Sequence, residues 1–199
     1  MSRWGIVAVA YSLLAVAAAC LATLWRDHSA ITLADPWLGL GDGLHSHLFS
    51  GLLGLCVGAI AVLATKAMVM RFGFAARLHG ELRPLALELS AQMVVVLATS
   101  SAIGEELLFR GLLQPEVGLV VQALLFGVLH QTGGSSRWVW MIWATLMGLI
   151  LGAMYQLSGS LVGPVVAHAM INGFNLQFLK RHDPTPGRRP LGGLLGQRS

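Results

Sequence analysis

Six apolar runs, near residues 4–25, 48–70, 86–113, 117–131, 138–157 and 160–179, leave this chain few ways to fold. Crossing a bilayer takes about 20 predominantly apolar residues, and inside hydrocarbon the backbone must satisfy its own hydrogen bonds. Only 11% of the 199 residues are charged, where an ordinary soluble domain carries about 25%, and the mean hydropathy is +0.70. The runs therefore predict an all-α, polytopic transmembrane helix bundle of about six spans, with no separate soluble domain. Cys20 and Cys56 both lie inside apolar runs, so neither a disulfide framework nor a cysteine zinc site is expected.

The basic residues act as topology signals. With the N-terminus on the cytoplasmic side, Arg3, Lys66, Arg71, Arg77, Arg83, Arg137, Lys180, Arg181, Arg188, Arg189 and Arg198 fall inside, and only Arg26 and Arg110 do not. That bias places both termini in the cytoplasm. The pI near 9.7 thus implies no nucleic-acid partner; the expected partner at this point is the bilayer. The start MSRWGIVAVAYSLLAVAAAC has the basic, apolar and small-residue order of a signal peptide. Its apolar run continues to Trp25, so a retained first span is expected. Residues 1–83 read as two spans with a polar external loop and a basic cytoplasmic loop, 84–180 as a core, and 181–199 as a disordered basic tail. The pairs Gly54/Gly58 and Gly148/Gly152 predict close helix packing. His28, His45, His47 and His79 read as solvated loop residues.

Within this apolar chain, IGEELLFRG at 103–111 places Glu105, Glu106 and Arg110 on one predicted span. A charge at the bilayer centre costs about 2.5–3.5 kcal/mol even on lenient scales. His130 lies on the next span, and His168 with Asn172 on the last. With outer ends at residues 114, 117 and 160, a rise of 1.5 Å per residue puts Glu105 ~13 Å deep, His130 ~20 Å, His168 ~12 Å and Asn172 ~18 Å. Polar residues from three helices therefore converge on one slab. Glu106 and Arg110 are four apart and can pair on one face; Glu105 is turned about 100° away.

Each residue alone has a plain reading. A buried Glu–Arg pair serves equally as a packing clamp, and an intramembrane His or Asn as a hydrogen-bonded joint between helices. Together they support chemistry of two kinds. A carboxylate and a neutral imidazole can deprotonate a held water, while imidazole and carboxamide N–H groups stabilise the oxyanion of an attacked amide. Alternatively Glu105, His130 and His168 could ligate zinc with one position open, although no HExxH helix occurs.

The motifs E-E-x3-R (Glu105, Glu106, Arg110), F-x3-H (Phe126, His130) and H-x3-N (His168, Asn172), in this order, resemble the signatures of the CAAX protease and bacteriocin-processing family, which includes the Rce-type prenyl-protein endopeptidases. The resemblance covers roughly residues 86–179. It implies an intramembrane endopeptidase of glutamate-dependent, metal-free mechanism, in a family once classed as metalloproteases, with a membrane-anchored protein or peptide as its substrate partner. Carried over, Glu105 with His130 would activate water and His168 with Asn172 would form the oxyanion hole. Glu106, Arg110 and Phe126 would support the site. No cofactor is expected, zinc being the less favoured alternative. Eukaryotic members trim prenylated CAAX proteins; prokaryotic relatives are associated with pheromone maturation, bacteriocin immunity and sorting-segment processing. The compact size points to a prokaryotic inner membrane and away from prenylated substrates. The competing readings are a silent immunity or peptide-binding protein of the same fold, and a transporter; the lack of repeated halves disfavours the latter.

Overall fold

The computed structural model describes residues 3–26, 29–40 and 43–184. Among them the chain forms α1 (Arg3–Arg26), α2 (Leu44–Arg71), α3 (Gly73–Leu87), α4 (Ala91–Glu106), a π-helical segment (Leu107–Leu113), α5 (Gln114–Leu129), α6 (Arg137–Ser158) and α7 (Val162–Arg181). The only β pairing among the described residues is one bridge between Thr32 and Ser160. The protein is an all-α bundle integral to the membrane. Arg3–Trp25, Leu44–Arg71, Ala91–Leu129 and Arg137–Ser158 are long and apolar enough to cross. Residues 185–199, most of the expected disordered tail, lie outside the described residues, as does His28.

Ala91–Leu129 does not run straight. Gly118 has φ 81° and ψ 166°, outside the helical region, a conformation that glycine adopts without steric cost. A straight helix would separate residues 105 and 130 by ~37 Å, yet their side chains meet at 3.5 Å. The chain therefore doubles back at Gly118. This moves the expected turn from 114–117 to 118. Glu105 then lies ~20 Å before the turn and His130 ~18 Å after it, a closer match in depth than the sequence boundaries gave.

α7, expected as a sixth span, is not among the helices apolar enough to cross. It packs against α2, α3, α4 and α6, and along it only Phe174 and Arg181 are exposed. A helix surrounded by protein needs little lipid-compatible surface, so it can carry His168, Asn172 and Asn175. Glycine makes the approach of its neighbours close. A Cβ on Gly54 would lie 2.8 Å from Gly163 Cα, and one on Gly58 would lie 3.2 Å from Ala167 Cα. On α6, a Cβ at Gly148 would lie 3.0 Å from Ala123 Cα on α5.

The basic loop expected before residue 86 folds instead as α3. Ala75, Leu78, His79 and Ala86 form its buried face; its charges and the internal Pro84 hide that pattern in the sequence. His79 is therefore not solvated. Its Nε2 donates to the His182 carbonyl at 2.9 Å, and burial pushes its imidazole below the ordinary range, against the pull of that hydrogen bond. Arg83 Nε donates to the same carbonyl at 3.2 Å and Nη1 reaches Asp183 at 3.4 Å. These bonds tie α3 to the end of α7. Nor are His45 and His47 in a loop: both lie in the first turn of α2, with His47 Nδ1 2.7 Å from Ser160 Oγ.

Replacing Gly54 with Leu should separate α2 from α7 at a cost of about 1–3 kcal/mol, the usual penalty of overpacking. A lower midpoint of thermal unfolding in detergent, with Gly39→Leu unchanged, would bear this out; equal midpoints would refute it. Gly39 has open space around it.

Candidate active site

The buried charges come first, because they most need partners. Glu106 and Arg110 are both fully buried, with Arg110 Nη1 donating to Glu106 Oε1 at 2.9 Å. The same Oε1 accepts from His168 Nδ1 at 2.6 Å, so Glu106 joins α4 to α7. Arg110 sits in the π-helical segment, a widened turn often found at functional sites. Its Nη2 donates to the Gly148 carbonyl at 3.3 Å. Gln122 Nε2 donates to that carbonyl too, at 3.1 Å, and Gln114 Nε2 to the Gly152 carbonyl at 2.9 Å. The Gly148/Gly152 pair thus does more than admit α5. With no side chains in the way, its carbonyls accept from three buried donors.

Phe126 fills the space among these groups. Its ring centroid lies 4.6 Å from Arg110 Cζ, a cation–π distance. Its ring also lies 4.2 Å from that of His130 and 5.9 Å from that of His168.

Glu105 faces the other way, as its position on the helix requires. Its Oε2 lies 3.5 Å from His130 Nε2 and 3.7 Å from His168 Nε2. His130 Nδ1 is 2.7 Å from the Phe126 carbonyl, so the proton of a neutral ring sits on Nδ1 and leaves Nε2 as an acceptor. His168 Nδ1 is likewise committed to Glu106, which leaves Nε2 facing Glu105. Asn172 Nδ2 donates to Ser101 Oγ at 3.1 Å. Glu105, His130 and Asn172 line a cavity of about 650 Å³ whose walls are otherwise mostly apolar, Trp140, Trp143 and Leu78 among them. The structure therefore brings Glu105, His130 and His168 into direct proximity and sets Asn172 on the wall of the same cavity.

Zinc would have to share Glu105 Oε2, His130 Nε2 and His168 Nε2. Among the described residues no group of three or more His, Cys, Asp or Glu is disposed to hold a metal ion.

Several contributors escape sequence reading. Gln114, Gln122 and Ser101 carry no motif, and only their position in apolar runs marks them. Tyr11, on α1, hydrogen-bonds Glu105. Its one sequence signal is rarity, since the chain has two tyrosines.

Residues 87–174, the stretch holding every one of the predicted site residues, match the family model for type II CAAX prenyl endopeptidase Rce1-like proteins. Over that segment the chain is similar to the Rce1-like family. Its Rce1-like segment begins at the end of α3 and ends within α7. A Bacillus subtilis (strain 168) protein, YpbD, described as uncharacterized, is 34% identical over 122 residues, which is 60% of this chain and 63% of that protein. The chain thus spans less than two thirds of that relative. No solved structure matches.

The Glu106–Arg110–His168 arrangement generates a test. Arg110→Ala leaves Glu106 buried without its cation and should cost about 3–5 kcal/mol, whereas the isosteric pair Arg110→Met with Glu106→Gln should cost less than the single change. Thermal unfolding in detergent checks the order. A single variant as stable as the parent would show that the pair contributes nothing.

Proposed function

We propose that this chain is an intramembrane endopeptidase that hydrolyses a peptide bond in a membrane-embedded or membrane-proximal segment, using water activated by Glu105 and His130. The observation that carries the reading is Glu105 Oε2 placed 3.5 Å from His130 Nε2 and 3.7 Å from His168 Nε2 on the wall of a largely apolar cavity. With His130 Nδ1 held by the Phe126 carbonyl, Nε2 and the Glu105 carboxylate are both acceptors. A water between them donates a hydrogen to each, and its oxygen is left to attack.

In this mechanism the water oxygen adds to the carbonyl carbon as Glu105 takes its proton. The carbon–nitrogen bond of the tetrahedral intermediate then breaks, and that proton passes to the departing amine. His168 and Asn172 stabilise the oxyanion. Because His168 Nδ1 is bonded to Glu106, only its imidazolium form has a second N–H at Nε2 to offer. Glu106, Arg110 and Phe126 hold the histidines in place. No metal takes part. The charge bias supports both termini on the cytoplasmic side of the membrane.

The full chain in proteoliposomes, given internally quenched peptides with an apolar segment, tests this reading. Glu105→Gln and His130→Ala should each lower the rate by roughly 10²–10⁴-fold without lowering the unfolding midpoint. Undiminished cleavage in either variant would sink the mechanism. Peptide binding without cleavage by the parent would establish the silent binding protein instead. Thorough chelation should leave the rate unchanged; loss restored by zinc would replace the metal-free scheme.

A further inference from the structure

The mechanism needs Glu105 aimed at His130, yet Oε2 lies 3.5 Å from that ring and makes no short hydrogen bond of its own. Torsion about the carboxylate plane is soft, so something else must hold it. We propose that Tyr11, on α1 and outside the Rce1-like segment, is a positioning residue that fixes the Glu105 carboxylate through its hydroxyl. The inference rests on the peptidase reading for its consequence, and on the geometry for the contact.

Observations along α1 support it. The other hydroxyls described on this helix bond within it: Ser12 Oγ to the Ala8 carbonyl at 3.0 Å and Thr23 Oγ1 to the Ala19 carbonyl at 2.9 Å. Tyr11 instead reaches across to Glu105, as its longer side chain allows. The approach of the helices suits this. A Cβ on Gly104 would lie 2.7 Å from the Tyr11 carbonyl oxygen, so the glycine beside Glu105 lets α1 come close at that level. The near end of α1 is fixed as well: Arg3 pairs with Glu88, and Trp4 Nε1 donates to it at 3.2 Å. Trp4 and Tyr11 are two turns apart on one face, and both line the cavity. A tyrosine that merely packed would not need its hydroxyl in a carboxylate-bearing cavity.

Tyr11→Phe removes one oxygen and should fold as the parent does. Two readouts decide the inference. In infrared spectra of protein labelled with ¹³C-glutamate, which has five such residues to resolve, Glu105→Gln identifies the Glu105 band, and Tyr11→Phe should shift it. On the quenched peptide in proteoliposomes, Tyr11→Phe should lower kcat roughly tenfold, the usual effect of losing a hydrogen bond to a charged group, with KM unchanged. Ser12→Ala should alter neither. An unshifted band overturns the proposal, as does unchanged kcat. A raised KM with intact kcat would place Tyr11 against substrate and overturn it too. Should the parent cleave nothing, the peptidase reading fails by itself, and the band still decides whether Tyr11 holds Glu105.

Discussion

One carboxylate oxygen, Glu106 Oε1, accepts from Arg110 and from His168 inside a buried interior, and most of the surrounding architecture can be derived from the need to satisfy those groups. A buried ion pair is worth little unless its remaining hydrogens also find acceptors. Arg110 meets part of that demand at the Gly148 carbonyl, while its Nε finds no acceptor among the described residues; the contact requires a glycine on α6 and an α5 close enough to share it. Phe126 supplies an aromatic face to the guanidinium. Its position depends in turn on the reversal at Gly118. The charge pair thus dictates where three helices can lie, and the histidines follow.

That dependence explains what could be read from the sequence. Glu106 with Arg110, and His168 with Asn172, were legible because a spacing of four fixes a shared face on any helix. The convergence of Glu105 and His130 was legible through depth, although the turn was placed short of Gly118. The glycine itself is the one sequence mark of that position, and the backbone angles there show the reversal. Other features had no local signature. The π-helical segment holds Arg110, yet its composition of Leu, Phe and Gly fits an α-helix as well. His79 looked solvated among arginines because its burial depends on α7, about a hundred residues away.

α7 marks a further limit of hydropathy as a guide. The helix carries two of the proposed site residues and sits among four neighbours, so it resembles a soluble core helix more than a lipid-facing one. A site buried in a bilayer needs such a helix, because polar side chains are tolerated only where protein surrounds them. The Rce1-like match ends within α7 and omits α1 and α2. The omitted helices are therefore not inert casing: α1 reaches the proposed base through Tyr11, and α2 supports α7 along its glycine face.

The shared acceptor at the end of α7 has a mechanical meaning. His79 and Arg83 both hold the His182 carbonyl, while Glu81, on the same helix, accepts from the Ser135 and Ser136 hydroxyls before α6. α3 is thereby strapped at both sides beneath the cavity. A pull on the chain beyond His182 would be borne first by α3 and passed from there to the cavity floor. The strap makes that floor a joint between the end of α7 and the chamber in which Glu105 lies.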